Sequence, residues 1–145
     1  MSGTPSARTP RQRIEAECRR RGRPALVAGC VRLIRGDESD IGLIAVLGGD
    51  TANWYLGGGH PDQRYWSRVW AARGLLWVWD TAGLDALLLA LRDPAWRVRE
   101  MAAKVVARHL VGDALPMVAA LREDPVPRVR AAAVRAVARL TEAGA

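Results

Sequence analysis

Apolar residues in the second half of the chain recur at the spacing of an α-helix. The spacing i, i+4, i+7 and i+8 places four residues on one stripe of a helix with about 3.6 residues per turn. They are Val98, Ala102, Val105 and Val106. Polar and charged side chains fill most of the positions between them. The pattern predicts an amphipathic helix over residues 96–110.

This segment is one copy of a pattern that repeats along the chain. A stretch beginning at Asp93 aligns with one beginning at Asp124, an offset of 31 residues, and a third copy begins another 31 residues earlier at Asp62. In each copy an arginine follows six residues after the aspartate, and Ala-Ala or Ala-Val follows three residues later. Self-similarity at a fixed period is typical of repeat architectures. We therefore predict an all-α fold with repeats starting near residues 62, 93 and 124.

The segments around these copies predict the remaining helices. Residues 84–92 and 114–122 are short apolar stretches between copies, as expected for the second helix of each repeat. Residues 10–56 carry weaker helical patterns, over 10–21, 24–35, 40–47 and 51–56. We interpret them as a degenerate N-terminal cap, because the terminal units of repeat proteins are atypical. The predicted organisation is a flexible basic tail over residues 1–9 and a single helical repeat domain over 10–145.

The 31-residue period, the leading aspartate and the Val-Arg-x-x-Ala-Ala core resemble HEAT-like repeats, in particular the short bacterial form named after phycobilisome lyase proteins. The resemblance covers residues 62–140. It implies a right-handed α-solenoid of helical hairpins, with a ladder of aspartate and arginine side chains between adjacent repeats. The ladder residues it implies are Asp62, Asp93 and Asp124, pairing with Arg68, Arg99 and Arg130.

The last copy lacks a second helix, since only five residues follow Leu140. A helix over 126–140 would then show part of its apolar stripe to water. That stripe consists of Val129, Ala133, Val137 and Leu140. An uncapped solenoid end favours self-association, so we expect a homodimer through the C-terminal end.

The net charge of +7 suggests a nucleic-acid partner, but the excess of positive charge is confined to the N-terminal segment. Residues 1–35 carry nine arginines and two glutamates, whereas the remaining 110 residues carry 13 basic and 13 acidic groups. Only one basic residue is a lysine, a skew typical of a bacterium with a GC-rich genome. Nucleic-acid backbone binding through the N-terminal segment is the alternative function. The residues that would carry it are Arg11, Arg13, Arg19, Arg20, Arg21 and Arg23.

The sequence predicts a soluble cytoplasmic protein. No apolar run reaches the roughly 20 residues that a membrane span needs, and the N-terminal residues are basic and polar, unlike a secretory signal. We therefore expect no membrane partner. Cys18 and Cys30 are expected to be reduced thiols.

No motif for catalysis or metal binding is evident, so we predict no enzyme activity, no cofactor and no metal. His60 and His109 stand alone, and two cysteines twelve residues apart match no zinc pattern. The deoxyhypusine hydroxylases are similar in architecture but hold iron through repeated His-Glu pairs, which this sequence lacks. The glycines at 48–49 and 57–59 are not followed by a phosphate-binding motif, and 57–59 is interpreted as a flexible link.

Tryptophan is the unusual feature of the composition. The chain has six Trp, two Tyr and no Phe, and all the aromatic residues lie between Trp54 and Trp96. Either these rings pack beneath the N-terminal cap, or some of them form an exposed aromatic and arginine patch of the kind enriched at interaction hot spots. The candidate binding residues are Trp54, Tyr55, Tyr65, Trp66, Arg73 and Trp77.

The leading hypothesis is a non-catalytic module that binds a protein or peptide through this first clear repeat, because stacked helix pairs offer an extended surface. The neutral charge of the repeat body favours a protein over a polyanion. Two remote alternatives rest on resemblance alone. Certain alkylpurine DNA glycosylases are HEAT-like, and the namesake lyases act on a tetrapyrrole-like chromophore.

Overall fold

A computed structural model describes residues 8–144 of the chain. Across that range the chain forms nine α-helices and short 3₁₀ turns, with no β-strand. The all-α prediction is confirmed. The helices are α1 (Pro10–Arg21), α2 (Arg23–Ile34), α3 (Ile41–Gly48), α4 (Thr51–Leu56), α5 (Trp66–Trp77), α6 (Leu84–Ala90), α7 (Trp96–His109), α8 (Leu115–Ala120) and α9 (Pro127–Gly144). Most of the predicted tail, residues 1–7, lies outside the described range.

Local chemistry explains where the first helices begin and end. Thr9 caps α1 through a reciprocal pair of hydrogen bonds: the Gln12 amide donates to Thr9 Oγ1 at 3.2 Å, and the Thr9 amide donates to Gln12 Oε1 at 2.9 Å. Pro10 at the first position needs no hydrogen-bond partner for its nitrogen. Gly22 separates α1 from α2 at φ +87°, a conformation that a side chain would strain.

The helices are arranged as successive layers. Helix α7 packs extensively against α5 on one side and α9 on the other, and α5 packs against α2. Helix α6 packs mainly against α7, and α8 packs against α9. Each short helix therefore pairs with the helix that follows it, whereas the sequence predicted that it would be the second helix of the preceding repeat. This arrangement is consistent with an α-solenoid. No helix within residues 8–144 is both long enough and apolar enough to cross a membrane.

The predicted apolar stripe of α7 forms the centre of the core. Val98, Ala102, Val105 and Val106 are all fully buried. One layer earlier, Gly74 of α5 takes the position equivalent to Val105. A Cβ atom at Gly74 would lie 2.7 Å from Cys30 Sγ of α2, so the absence of a side chain sets the spacing between these two helices.

A ladder of ion pairs links the layers, but its register differs from the prediction for Asp62. Arg68 Nε donates to Asp93 Oδ2 at 2.7 Å, and Arg99 Nε donates to Asp124 Oδ2 at 2.8 Å. Each rung therefore joins an arginine to the aspartate 25 residues later. The equivalent partner of Asp62 would be residue 37, which is an aspartate, and the Asp62 side chain is 89% exposed.

The guanidinium of Arg130 occupies a different place. Its Nη1 donates to the backbone oxygens of Asp124 at 2.8 Å and Pro125 at 3.2 Å. Arg130 therefore secures the turn that leads into its own helix. Arg99 makes the same backbone contacts to Asp93 and Pro94, in addition to its ladder rung.

The apolar stripe of α9 is less exposed than expected. Val129 and Ala133 are fully buried, and Val137 and Leu140 are half-buried, because α9 packs against both α7 and α8. The large apolar side chain of α9 that is exposed is Val134, at 53%. The homodimer through this end stays a prediction.

A candidate basic and aromatic binding face

Helices α5, α7 and α9 present equivalent positions on one side, at the 31-residue offset of the repeat. Nine of these positions form what we call the basic–aromatic face. Its three rows are Trp66, Arg97 and Arg128; Arg73, Lys104 and Arg135; and Trp77, Arg108 and Arg139. Within each helix the spacing between rows is seven or four residues, which keeps all three rows on one stripe.

Charge is strongly segregated on these three helices. Together they carry ten cations and two carboxylates. The cations are Arg68, Arg73, Arg97, Arg99, Lys104, Arg108, Arg128, Arg130, Arg135 and Arg139, and the carboxylates are Glu100 and Glu142. Most of the other acidic residues of the repeat body lie in the turns and in α6. The repeat body has no net charge as a whole, but the side formed by these three helices is basic.

Glu100 is the acidic residue that touches the basic–aromatic face. It is 8% exposed, and its carboxylate accepts hydrogen bonds from Arg128 Nε at 2.9 Å and Arg128 Nη2 at 3.1 Å. Lys104 Nζ lies 4.0 Å from the same carboxylate. Glu100 therefore divides the cations into an upper group near the helix starts and a lower group near the helix ends.

The upper part of the face is a cluster of rings covered by two guanidinium groups, one of which, Arg128, lies 5.2 Å from the Trp96 ring. Tyr65 and Trp66 have ring centroids 5.4 Å apart, and Trp66 stacks on Trp70 at 6.3 Å. Arg97 lies 5.4 Å from the Trp66 ring and 4.4 Å from the Trp96 ring. The structure thus brings the predicted site residues Tyr65 and Trp66 together, in half-buried positions.

The lower part of the face is organised around Trp77, at the last position of α5. Its ring is contacted by two guanidinium groups, Arg11 of α1 at 4.7 Å and Arg108 of α7 at 4.8 Å. The Trp77 ring is half-buried, and its Nε1 is buried without a hydrogen-bond partner among residues 8–144. Trp79 lies beyond the end of the helix, which resolves how two tryptophans two residues apart are both accommodated.

Arg73 sits deeper than its neighbours on the face. Its Nη2 donates to the backbone oxygen of Leu47 at 2.8 Å, and its Nε is buried without a partner in the described part of the chain. Burial, together with the nearby charge of Arg13, lowers the pKa of the Arg73 guanidinium from its ordinary value. Arg73 therefore mainly anchors α5 to α3.

Tyr55 is not a binding residue, contrary to the prediction, because it is 1% exposed. Its hydroxyl hydrogen-bonds to Glu38 and to the backbone oxygen of Arg64, and the Arg64 guanidinium lies 3.8 Å from its ring. Trp54 is 42% exposed and lies against Gly59 in the glycine link. The predicted aromatic site residues are therefore divided: Tyr55 is in the core, Tyr65, Trp66 and Trp77 line the face, and Trp54 lies apart.

An open pocket of about 330 Å³ lies at the lower end of the face. Its floor consists of Leu76, Ala107 and Ala132, of which the two alanines are buried. Its rim consists of Trp77, Lys104, Arg108, Arg135 and Arg139, and we call it the cationic pocket. Sequence analysis missed all four of these cations, although their 31-residue offsets from Arg73 and Trp77 were a usable signal.

The six N-terminal arginines of the nucleic-acid alternative do not form one surface. Arg13 donates to the backbone oxygens of Val46 at 2.8 Å and Arg8 at 2.8 Å. Arg20 and Arg21 both pair with Glu17, and Arg21 also pairs with Asp40. Arg11 pairs with Glu15 at 3.2 Å. Arg19 and Arg23 are exposed and line a separate groove beside Cys18, Trp77 and Trp79.

The histidines and cysteines have structural surroundings. His109 stacks on Trp79 with ring centroids 5.5 Å apart, and its Nε2 lies 2.8 Å from the Leu75 oxygen at the end of α5. Cys18 and Cys30 are free thiols, and burial raises the pKa of Cys30 to about 12. Residues 8–144 contain no cluster of three or more His, Cys, Asp or Glu that could hold a metal ion.

Stacked helical pairs that present a recurrent side define an α-helical repeat protein. In agreement with this, residues 84–145 match the family of HEAT repeats, which supports a HEAT-like repeat protein. HEAT repeats generally serve as protein-interaction scaffolds and are typically non-catalytic. No curated protein and no solved structure matches the chain.

Proposed function

We propose that this chain is a non-catalytic HEAT-like scaffold that binds a partner protein on its basic–aromatic face. The observation that carries the proposal is that seven of the nine positions of this face are cations, whereas Glu100 is the carboxylate that contacts the face within residues 8–144. The face combines arginine with partly exposed tryptophan, which are the residue types that contribute most to protein interfaces. Successive layers extend it into one continuous surface.

The state of the tryptophan rings favours a protein over a nucleic acid. Base stacking needs a free ring face. The Trp66 ring contacts Trp70 and Arg97, and the Trp77 ring contacts Arg11 and Arg108. Four of the six N-terminal arginines are engaged within the chain, as described above. A guanidinium group that packs against an aromatic ring can bind a carboxylate instead. The ring restricts the motion of the guanidinium group before binding, which lowers the entropic cost.

The finer architecture is part of the same proposal. Residues 62–140 form short repeats of the phycobilisome-lyase type with right-handed stacking, and residues 10–56 form a degenerate cap. In support, the ladder rungs repeat at the period of the sequence, and α2 packs against α5 as an earlier layer. The cap would supply Arg11 to the lower end of the face.

Site-specific photocrosslinking tests the proposed face. The crosslinking amino acid p-benzoylphenylalanine is placed at Ala131, which is exposed on α9 between Arg128 and Arg135, and for comparison at Leu89, which is 51% exposed on α6. In a lysate of the source organism we expect a discrete protein crosslink from position 131 and none of the same mass from position 89.

Charge reversal shows whether that crosslink depends on the face. Adding Arg135→Glu and Arg139→Glu should abolish it. The matched control pair, Arg92→Glu and Arg122→Glu, makes the same change of charge at exposed sites away from the face and should leave it intact. Crosslinks to nucleic acid from position 131, or equal loss with both pairs, would overturn the proposal in favour of backbone binding or nonspecific attraction.

A further inference from the structure

The three arginines of the cationic pocket are unpaired, which sets them apart from most of the cations around the core. Arg108, Arg135 and Arg139 make no ion pair and no hydrogen bond within residues 8–144, and Lys104 has only the 4.0 Å contact with Glu100. The buried carboxylates Asp93 and Asp124, by contrast, each hold an arginine at 2.7–2.8 Å. Like charges gathered without counter-charge destabilise a fold and favour an anionic ligand.

The floor of the pocket narrows the chemistry of that ligand. Ala107 and Ala132 are 8% and 3% exposed, and with Leu76 they make an apolar base beneath the charged rim. A phosphate group fits such a base poorly, because its oxygens would face methyl groups with no donor. An apolar side chain fits it well, provided that neighbouring carboxylates reach the rim.

The position of Glu100 further restricts which class of anionic ligand fits the pocket. A nucleic-acid backbone carries a regular row of phosphates and needs a continuous track of cations. The Glu100 carboxylate lies between the upper and lower cation groups and is already hydrogen-bonded to Arg128. A short peptide that occupies only the lower group avoids this carboxylate.

We propose that the cationic pocket binds a short acidic–apolar peptide segment of the partner protein, with an apolar side chain on Leu76, Ala107 and Ala132 and carboxylates on Arg108, Arg135 and Arg139. This inference rests on the proposed function and names the chemistry of its partner. Guanidinium groups recognise carboxylates through two parallel hydrogen bonds, and the apolar base supplies specificity for the residue between them. A volume of about 330 Å³ is large enough for the side chains that the proposal places there.

The test uses defined probes with the full chain. A fluorescent peptide of four Glu-Glu-Leu units is titrated with the protein, beside a Glu-Glu-Ser peptide of equal charge and a single-stranded oligonucleotide of equal charge. We expect the Glu-Glu-Leu peptide to bind about tenfold more tightly than either comparison probe, because only it has both groups that the pocket accepts. Equal binding of the serine peptide, or tighter binding of the oligonucleotide, would overturn the inference.

A pair of variants locates the binding. Arg108→Gln with Arg139→Gln should weaken the Glu-Glu-Leu peptide about tenfold or more, since two charge-assisted contacts are removed. Both positions are exposed, so the fold should survive, which a thermal melt checks. The matched pair Arg92→Gln with Arg122→Gln should change the affinity less than about twofold. Equal weakening by the two pairs would refute the pocket as the site.

The outcomes of this test and of the crosslinking test are separable. If a protein crosslinks at position 131 but the Glu-Glu-Leu peptide does not bind, the scaffold function stands and the partner chemistry is wrong. If the peptide binds at the pocket but no protein crosslinks, the pocket recognises its ligand and the assignment of a partner protein to the face fails.

Discussion

Arg99 and Asp124 join two consecutive layers through a two-pronged ion pair. Arg99 Nε and Nη2 donate to the two Asp124 carboxylate oxygens at 2.8 and 3.2 Å, and their side chains are 16% and 4% exposed. Asp124 also accepts from the Val126 amide at 2.9 Å, which shapes the turn before α9. One carboxylate therefore fixes both the spacing of the layers and the start of a helix.

A double-mutant cycle measures this rung. Arg99→Met keeps the apolar stem, and Asp124→Asn keeps an oxygen for the Val126 amide. Each single variant should lose about 2–4 kcal/mol of unfolding free energy, since the remaining partner is left in a mostly buried site. The double variant should lose less than the sum, with a coupling of about 1–3 kcal/mol. Urea unfolding measures all of them. Arg122→Met, at an exposed position, is the control, and additive losses would mean that the pair is not coupled.

The same carboxylate predicts how stability depends on pH. Burial alone would raise the pKa of Asp124, but the hydrogen bonds and charge of Arg99, with the Val126 amide, outweigh it and hold the pKa below its ordinary value of 3.8. The unfolded chain therefore takes up this proton first as the pH falls. Stability from this group is complete above the unfolded pKa and is lost as the pH drops through the lower, folded pKa.

Urea unfolding between about pH 5 and pH 2 should reveal this loss. Asp124→Asn removes the titrating group, so its unfolding free energy should fall less steeply over the same range than that of the unchanged chain. Glu17 and Asp40, whose pKa values are also lowered, retain part of the dependence in both proteins. Parallel curves for the two proteins would contradict the role assigned to Asp124.

How much the sequence predicts follows from the range of each interaction. The apolar stripe of α7 and the 31-residue period are visible in the order of residues along the chain, so both could be predicted from the sequence. The register of the ladder could not be predicted, because each ion pair joins an arginine to the aspartate of the next layer. The position that would pair with Asp62 is residue 37, which is an aspartate. Tyr55 was assigned to a binding site by composition alone, whereas its ring is buried and its hydroxyl has partners 17 and 9 residues away in the sequence.

The candidate site shows the same limit. Trp66 and Trp77 were named as candidate binding residues, and both stand at positions that are arginines in the other repeats. The cationic pocket was missed because the charges of the repeat body were only added together. A net charge does not show on which side of the molecule the charged residues lie. Following one position through the repeats, from Trp77 to Arg108 to Arg139, places the charges on one side of the stack.

Gly74 should tolerate no side chain. In Gly74→Ala the new Cβ would lie 2.7 Å from Cys30 Sγ and 3.2 Å from Leu47 Cδ2, both in a closed part of the core. Overpacking of about 1–3 kcal/mol should outweigh the gain of roughly 1 kcal/mol in helix propensity. We expect a net loss of about 1 kcal/mol, measured by thermal or urea unfolding. Gly112→Ala is the matched control, since nothing lies within 4 Å of its Cβ position. A stabilised Gly74→Ala would mean that α2 and α5 can move apart freely.

His109 should stabilise the end of α5 from a neighbouring layer. Its Nε2 lies 2.8 Å from the Leu75 oxygen and 3.1 Å from the Leu76 oxygen, where the helix leaves carbonyl groups without partners. His109→Phe would keep a ring against Trp79 but remove the donor, so we expect a loss of about 1–2 kcal/mol in urea unfolding. His60→Phe removes one exposed hydrogen bond, from the Asp62 amide to His60 Nδ1, and should lose less stability than His109→Phe. Equal stability of the two variants would assign His109 a packing role only.

Glu100 should act as a filter against polyanions. Its carboxylate is the one acidic group that contacts the nine-residue face within residues 8–144, and Glu100→Gln would free Arg128 and Lys104 while keeping the shape of the side chain. With the interruption removed, the two cation groups merge into one track. We expect single-stranded DNA to bind several-fold more tightly at low salt, with a steeper dependence on salt, since more phosphates are neutralised. The Glu-Glu-Leu peptide should gain less, because its carboxylates are placed on Arg108, Arg135 and Arg139 and Lys104 is the pocket cation that the change frees. Fluorescence anisotropy at two salt concentrations measures both probes, and Glu142→Gln, which makes the same charge change at an exposed position near the end of α9, is the control. If both variants raised DNA binding equally, net charge and not the placement of Glu100 would govern the choice of ligand.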